Sequence, residues 1–459
     1  MTNNLHKNFS LYLIILFCFG AFFLNEKHIV DNDSTISEWL INYSGGFTKR
    51  GLIGEICVFF ANLFEIGLRD SILSFQLIIF LTYFLLIYFF FKDIKMNKLM
   101  IFAVFSPIFV LYPVAEIEVL ARKELFIFCI FITYLNIKNN LNRIIYKLIL
   151  LPIAILIWEP LIFFFPFWLA IDVIDNKIKN FNKIFFKNLI SLLPALLVAI
   201  YIILNPITVE NWGIMSQFLK DEFGEVCYMS CGLLKEKSTI YQQFKGNFHK
   251  YSFEVFFRYF LIILIGFGPL FILSFSSSLN EKKIVLFKKY NHILIPLLIL
   301  LSPVILLFAM GYDWGRWVNI SYFFAVIFYF YLVKKDLIKV NENIFNKILE
   351  RDEVIIDCKD VFTINKLFNS YIDELCAFCK ANDKSLIFFT SPKFDDDCSD
   401  DNIELRRVLE GKNCKYYDFT NAFEENNNVI YWKDGEHLSN IGAEIFTAKV
   451  ADELALNQY

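Results

Sequence analysis

The chain has 459 residues, of which 57% are hydrophobic and 55 are Phe. Soluble domains are usually about 45–50% apolar, so this composition excludes a wholly soluble protein. Only 20% of the residues are charged and the formal net charge is -3. These values exclude a nucleic-acid-binding arm. The small net charge also predicts no partner that would bind through overall charge attraction.

The first 335 residues carry a series of long apolar segments. Only a hydrogen-bonded helix of about 20 residues crosses the hydrocarbon core of a bilayer. We predict ten spans, with the first retained as an anchor rather than cleaved as a signal peptide. Segments 145–158 and 159–175 are either two separate spans or one long span with a re-entrant piece, broken at Pro160. The ten segments are 9–25, 73–91, 99–115, 123–138, 145–158, 159–175, 187–205, 252–275, 291–310 and 317–333.

Lysine and arginine residues orient these spans, because short cytoplasmic loops carry an excess of them. With ten spans, both termini and all the lysine-rich loops fall on one side. This predicts a multi-pass protein of the cytoplasmic (inner) membrane with both termini in the cytoplasm. The apolar run 53–64 is predicted to be an interfacial or re-entrant helix, since a further span would invert the later loops. The predicted exoplasmic segments are 26–72, 116–122, 206–251 and 311–316.

From residue 341 to 459 the pattern changes to alternating strands and helices. Such alternation is typical of a small parallel α/β layer. The fold class is therefore a polytopic all-α membrane bundle, residues 1–340, followed by a small soluble α/β tail, residues 341–459, on the cytoplasmic side. The predicted strands are 354–357, 386–390 and 415–419, and the predicted helices are 369–380, 404–409 and 439–456.

Charged residues at membrane depth are costly and are functional candidates by default. Lys49 and Arg50 follow two glycines in the first exoplasmic loop and place positive charge where a phosphate site would require it. Interfacial anchoring of a helix is the alternative. Glu118 and Arg122 lie at a predicted helix start, where they could serve as a general base and a pyrophosphate ligand, or form a salt-bridged helix end.

Two further charged positions interrupt the apolar pattern. Glu159, in Trp158-Glu159-Pro160, has no local partner, so it is either functional or a protonated or arginine-paired structural residue. Between the last two spans, Asp313 and Arg316 lie beside Trp314. This combination is typical either of a sugar-phosphate site or of an interfacial aromatic belt. We predict catalytic carboxylates at Glu118, Glu159 and Asp313. The predicted substrate-binding residues are Lys49, Arg50, Arg122, Trp314 and Arg316.

The cysteine spacing predicts no metal site. Cys227 and Cys231 are compatible with a disulfide, which an oxidising compartment permits, or with two thiols. Cys376 and Cys379 form a single C-x2-C, whereas zinc sites favour two such pairs. No cofactor is predicted with certainty, and a divalent metal is left open. Gly-x-Gly-x-x-Gly and P-loop patterns are absent, which argues against a nucleotide-sugar donor.

With about ten spans, a long first exoplasmic loop and a cationic exoplasmic face, residues 1–335 resemble the GT-C-type membrane glycosyltransferases. The Arg122…Trp158-Glu159 region is similar to that of EpsG/O-antigen-polymerase-like proteins, which usually place a His there. The resemblance implies a polyprenyl-phosphate-linked sugar donor, an inverting transfer on the exoplasmic side and arginines that bind the pyrophosphate. It also implies a carboxylate in the first loop. The candidates are Asp31, Asp33 and Glu38, and we take Asp33 as the catalytic one.

The tail segment from Trp432 to Gly442 resembles the last block of the SGNH/GDSL hydrolases, over about 354–456. In that family Asp434 and His437 would be the orienting acid and the general base of a Ser triad. The earlier blocks, with the Ser nucleophile and the oxyanion hole, are missing. We therefore expect a truncated SGNH-like fold used for structure or binding, with a Cys358 nucleophile as the alternative.

These features predict a membrane glycosyltransferase or polymerase for surface polysaccharide. Its expected partners are membrane lipid, a polyprenyl-phosphate-linked glycan and other proteins of envelope biosynthesis, and no nucleic acid. One alternative is an SGNH-like acyltransferase or esterase whose chemistry lies in the tail. The other is a non-catalytic flippase or transporter that uses the same charged residues to line a path.

Overall fold

The computed structural model describes most of the chain, and it divides the chain into two compact units, Met1–Asn346 and Lys347–Tyr459. The described residues are 2–30, 34–176, 183–235, 251–279, 292–311, 313–340, 366–392, 401–423, 428–433 and 437–456, with 242, 245–246 and 248.

The first unit is helical, apart from one short antiparallel pair of strands. Its helices are α1 (Thr2–Ile29), α2 (Ser34–Ser37), α3 (Gly51–Phe64), α4 (Leu68–Phe91), α5 (Lys98–Val104), α6 (Tyr112–Ala115), α7 (Glu124–Leu135), α8 (Asn140–Ile157), α9 (Phe165–Asp175), α10 (Lys183–Ile190), α11 (Leu193–Leu204), α12 (Val209–Phe223), α13 (Met229–Gly232), α14 (Phe253–Phe275), α15 (Leu294–Leu301), α16 (Ile305–Met310) and α17 (Trp314–Lys334). The strands β1 (Ser277–Leu279) and β2 (Ile338–Val340) pair with each other.

Several helices are long and apolar enough to cross a bilayer, which indicates a membrane protein. Within the described ranges there are seven, and they correspond to seven of the ten predicted spans. They are Lys7–Ile29, Leu68–Phe91, Lys98–Ala115, Asn140–Ile157, Lys183–Leu204, Phe253–Phe275 and Trp314–Lys334. The other three predicted spans contain shorter apolar helices, namely Glu124–Leu135, Phe165–Asp175 and Leu294–Met310. The run predicted to be interfacial or re-entrant forms the 14-residue helix α3.

The predicted pair 145–158 and 159–175 is interrupted where the sequence suggested. Helix α8 ends at Ile157, a 3-10 helix runs over Glu159–Phe164 with Pro160 in its first turn, and α9 follows. Proline cannot donate the backbone hydrogen bond that would continue α8. The interruption places Glu159 at the end of the bundle.

Helix α17 is the most enclosed of the seven membrane-length helices in the described ranges. Every residue from Arg316 to Leu332 is buried, as expected for a helix that is hydrophobic on all sides. The Phe323 ring stacks on Phe128 with centroids 3.8 Å apart, and Phe324 stacks on Phe164 at 4.4 Å. The other helices therefore fix α17, and Arg316 in its first turn has a fixed position.

A second helix is kinked beside α17. A π-helical turn, Pro107–Leu111, joins α5 to α6, and its Phe109 has non-helical backbone angles. Asn319 on α17 donates from Nδ2 to the carbonyl oxygens of Ile108 at 2.8 Å and Phe109 at 3.2 Å. The kink exposes these carbonyls, and a buried side chain satisfies them, as it must in an apolar environment.

A buried ionic network lies near the start of α8, at the end away from Glu159. Lys147 pairs with Asp172, and both are fully buried. Asp172 also accepts a hydrogen bond from the Tyr134 hydroxyl. One turn before Lys147, Arg143 pairs with Asp175 at 2.5 Å. At 1.5 Å per residue, Arg143 and Lys147 lie about 21 Å and about 15 Å from the end of α8 at Ile157. Charged groups therefore lie in the first half of this helix and directly beyond its other end.

The second unit contains a parallel strand pair. Strands β3 (Ile387–Thr390) and β4 (Lys415–Asp418) are joined in register, with Phe388 opposite Tyr416. The helices are α18 (Lys366–Ala381), α19 (Asp401–Gly411) and α20 (Asn440–Leu456). The predicted strands at 386–390 and 415–419 and the three predicted helices are confirmed. The predicted strand at 354–357 lies outside the described residues.

We expect Asp172→Asn to lower the free energy of unfolding by about 3 kcal/mol, because it leaves the Lys147 ammonium buried without a counter-charge. Melting of the detergent-solubilised protein measures the loss. Asp93→Asn is the control, since Asp93 is an exposed acid after α4. Equal melting temperatures for the two variants would contradict this account of the network.

Candidate functional site

A buried carboxylate lies at the centre of the candidate site. Glu38 follows α2 and is 1% exposed. Its Oε1 accepts a hydrogen bond from Arg50 Nη1 at 3.2 Å. The same oxygen lies 3.9 Å from Arg122 Nη1 and 3.7 Å from Arg316 Nη1. An ionised carboxylate is stable inside a protein only when it is paired, so these three arginines allow Glu38 to be buried.

Arg50 joins Glu38 to a second carboxylate. Its Nε and Nη2 donate to the two carboxylate oxygens of Glu159 at 2.8 Å and 2.9 Å, a bidentate geometry that is strong and directional. The Arg50 backbone is left-handed, with a φ of 61°, which is uncommon for a residue other than glycine. This conformation starts α3 at Gly51 and leaves the guanidinium between the two carboxylates.

Two further carboxylates flank Arg316. Its Nη1 lies 3.0 Å from Asp313 Oδ2, and its Nε lies 2.9 Å from Glu124 Oε1. The second contact is an ion pair without a hydrogen bond, since neither atom has a hydrogen-bond partner in the described parts of the chain. The Asp313 side chain is 48% exposed, compared with 19% for Glu159 and 5% for Glu124. Asp313 is therefore the carboxylate that solvent or a substrate reaches most easily.

Arg122 is a cation with few partners. It is 9% exposed. Among the described residues its ion pairs are those with Glu38 and Asp313, at 3.9 Å and 3.7 Å, both too long for hydrogen bonds. Its Nε has no hydrogen-bond partner there either. A guanidinium carries five N–H donors, and buried donors are normally satisfied. The geometry therefore favours an anion, such as phosphate, beside Arg122.

These contacts define the charged cluster, a set of five cations and four carboxylates. Its members are Lys49, Arg50, Arg122, Lys123, Arg316, Glu38, Glu124, Glu159 and Asp313.

The electrostatics of the charged cluster keep its buried loop carboxylates ionised. Burial alone would raise the pKa of Glu38, but the charges of Arg122, Arg316 and Arg50 hold it well below its usual range. Burial also opposes ionisation of Glu159, and the adjacent Arg50 outweighs it and lowers the pKa. Burial lowers the pKa of Lys49, an effect that Glu159 partly offsets.

The charged cluster brings together residues from all four charged regions that the sequence singled out. Its predicted members are Lys49, Arg50, Arg122, Glu159, Asp313 and Arg316. Glu118 is not part of it, because its side chain is exposed and forms no ion pair within the part of the chain that the structure describes. The alternative of an arginine-paired Glu159 matches the observed contact.

Trp314, which the sequence predicted to bind substrate, is buried in an aromatic cluster. The residue is 7% exposed, and its Nε1 donates to the Phe308 carbonyl at 2.8 Å. Its ring packs against those of Tyr251, Phe256 and Tyr259. These aromatic neighbours cover the ring, so Trp314 anchors the start of α17.

The remaining predicted site residues lie in or near undescribed segments. Asp33, which we expected to be the first-loop carboxylate, and Asp434 of the SGNH-like block both fall outside the described residues, as does Cys358. His437 is described and exposed, and its carbonyl accepts a hydrogen bond from the Lys433 N–H at 2.8 Å. The SGNH-like triad therefore stays a prediction.

Sequence reasoning assigned no role to Lys123 and Glu124 and did not select Glu38. Glu38 was only one of three candidates, because no spacing rule separates the acids of the first loop. Lys123 and Glu124 directly follow Arg122, and three consecutive charges between apolar segments were a usable signal. Their burial could not be predicted, since it arises from the packing of α7 against α17 and the first loop.

The loop after α12 packs on the same end of the bundle. Cys227 and Cys231 form a disulfide, and α13, which contains Cys231, contacts α2 directly before Glu38. Arg69 donates to both carboxylate oxygens of Glu225, at 2.5 Å and 3.1 Å. The ion pair holds the loop against the start of α4, and the contact between α13 and α2 places the loop beside Glu38.

Comparisons with known proteins add no identification. No protein-family model, no curated protein and no solved structure matches the chain. The site must therefore be interpreted from its own chemistry.

We expect Glu38→Gln to lower the melting temperature at pH 7, because three arginines lose their shared counter-charge. The pKa of Glu38 is lower in the folded than in the unfolded chain, so its stabilising effect is complete above about pH 4.3 and declines as the pH falls further. The difference from wild type should therefore shrink in acid. Glu118→Gln, at an exposed glutamate, is the control. A difference that does not change with pH would contradict the paired state of Glu38.

Proposed function

We propose that the protein is an integral membrane glycosyltransferase or polymerase that uses a polyprenyl-phosphate-linked sugar. The observation that carries this proposal is Arg122, a buried guanidinium without a hydrogen bond in the described residues, next to Arg316 and the accessible Asp313. Arginine binds phosphate through paired N–H donors. A phosphate leaving group and a carboxylate base are the two requirements of sugar transfer from such a lipid.

In the proposed reaction Asp313 is the general base. Its carboxylate takes the proton of the acceptor hydroxyl as that oxygen attacks the anomeric carbon of the donor sugar. The bond from this carbon to the lipid phosphate breaks, and Arg122 and Arg316 stabilise the negative charge that develops on the departing phosphate. Attack from the side opposite the leaving group inverts the anomeric centre. Glu38 and Glu159 hold the arginines in place and take no proton.

An apolar groove supports a lipid-linked substrate. It has a volume of about 610 Å³ and lies between α14 and the π-helical turn, lined by Pro107, Phe257, Leu261 and Ile265 among others. Tyr259, one residue after the groove-lining Arg258, packs against Trp314, which directly follows Asp313. An isoprenoid chain in the groove would thus have its phosphate near the charged cluster.

The disulfide supports an exoplasmic location for this site. Disulfides persist in oxidising compartments and are rare in the cytosol. Cys227–Cys231 lies at the end of the bundle that carries Glu38. The orientation from the lysine-rich loops places the same end outside. In this proposal the tail therefore lies on the cytoplasmic side as an accessory unit with a truncated SGNH-like fold.

We expect Arg122→Gln to weaken binding of a polyprenyl diphosphate at least tenfold, because one charged hydrogen-bond donor group is worth about 1.5–3 kcal/mol. Titration of the purified protein in nanodiscs, followed by tryptophan fluorescence, measures this affinity. Lys92→Gln is the control, since Lys92 is an exposed cation after α4 that belongs neither to the charged cluster nor to the apolar groove. Equal affinities for the two variants would contradict phosphate binding at Arg122.

We expect Asp313→Asn to reduce sugar transfer by about 10²–10⁴-fold while leaving lipid binding nearly unchanged, because it removes the base but not the arginines. Formation of a new glycosidic bond in liposomes that contain lipid-linked sugar is the measurement. His437→Ala should keep full activity. If His437→Ala alone abolishes an acyl transfer, the esterase alternative is correct. If lipid-linked sugar crosses the bilayer and no bond forms, the transporter alternative is correct.

A further inference from the structure

Lys123 is a buried cation to which neither the predicted site nor the proposed reaction assigns a role. It directly precedes α7 and its side chain is fully buried. The ammonium donates a hydrogen bond to the main-chain carbonyl of Arg50 at 2.6 Å. Within the described residues this is its one hydrogen bond, although an ammonium carries three donors. Lys is almost never fully buried unless it is paired. The burial of Lys123 with one hydrogen bond to a carbonyl therefore requires an explanation.

The carbonyl that Lys123 holds belongs to the residue with the unusual backbone. Arg50 has a φ of 61° and a ψ of 12° directly before α3. A left-handed backbone at a long side chain persists only when its surroundings favour it. In this conformation the guanidinium reaches Glu38 and Glu159 together. The hydrogen bond from Lys123 fixes the main chain of Arg50, and the two carboxylates fix its side chain.

Lys123 also adds to the positive charge of the charged cluster. By formal charge the charged cluster has five positive and four negative groups, an excess that suits an anionic ligand, and loss of the Lys123 proton removes one of the five positive charges. We propose that Lys123 is a positioning residue of the anion site, whose ammonium fixes Arg50 between Glu38 and Glu159 and supplies part of the positive charge that a lipid phosphate requires. This inference rests on the proposed function.

The surroundings of Lys123 allow it to lose its proton near neutral pH. Burial, together with the nearby Arg50, lowers the pKa of Lys123 to about 7 against the opposing effects of Glu38, Cys57 and Glu159. These four groups face Lys123 from the first loop, α3 and the turn after α8. Phosphate affinity therefore declines as the pH rises through about 7.

The same lowered pKa gives a test that requires no ligand. An unfolded chain keeps the Lys123 proton up to about pH 10, so between pH 7 and 10 the unfolded state binds more protons than the folded state. Below pH 7 the burial of the ammonium lowers the free energy of unfolding by its whole cost, and this cost disappears as the pH approaches 10. Wild type should gain stability relative to Lys123→Met over this interval.

The experiment combines both measurements on the full-length protein in nanodiscs. Affinity for a polyprenyl diphosphate and the melting temperature without ligand are measured from pH 6 to 10 for wild type, Lys123→Arg and Lys123→Met. Lys92→Met, at an exposed lysine after α4, is the control. We expect wild type to lose affinity on the order of tenfold relative to Lys123→Arg between pH 6 and 8.5. Lys123→Met should bind weakly throughout.

The outcomes separate the inference from the proposed function. If Lys123→Met binds the lipid as tightly as wild type at pH 6, the positioning role is wrong and the phosphate site stands. If neither wild type nor any variant binds the lipid but the melting temperatures of wild type and Lys123→Met diverge above pH 7, the proposed function fails. The conclusion that Lys123 is buried and titrates then stands. If the two melting curves stay parallel, Lys123 does not titrate in this range and the predicted pH dependence of phosphate affinity is wrong.

Discussion

The pairing of Glu38 with three arginines is the constraint on which this end of the bundle depends. Arg50, Arg122 and Arg316 come from the start of α3, the turn before α7 and the start of α17, and they meet at one carboxylate oxygen. Each guanidinium would be costly to bury alone, because a buried charge must be paired. The helices can therefore approach each other here only when all the charges arrive together.

The sequence predicted the helical class well and the site only in part. Arg50, Arg122, Glu159 and Arg316 were identified because charge is rare in apolar segments, and this signal does not depend on the three-dimensional fold. Sequence spacing could not show that Arg50 bonds Glu159, 109 positions away. The burial of Trp314 was equally hidden, since a Trp at a bilayer interface and one packed in an aromatic cluster have the same local sequence.

Helix lengths were predicted less well than helix positions. Proline residues and the π-helical turn shorten or divide helices that hydropathy alone treats as continuous. Hydropathy averages over about 19 residues and does not register a single interrupted hydrogen bond. Those interruptions matter, because the turn after α8 carries Glu159 into the charged cluster.

The bond from Asn319 to the kinked helix has a consequence for the depth of the site. Asn319 lies three residues after Arg316, about one helical turn, so its two carbonyl partners stop α17 from sliding along its own axis. The Arg316 guanidinium is therefore held at a constant position along the axis of α17. Under the proposed function, a headgroup would have to reach this arginine at one fixed height, and the site would select lipids by how far their polar part protrudes from the bilayer.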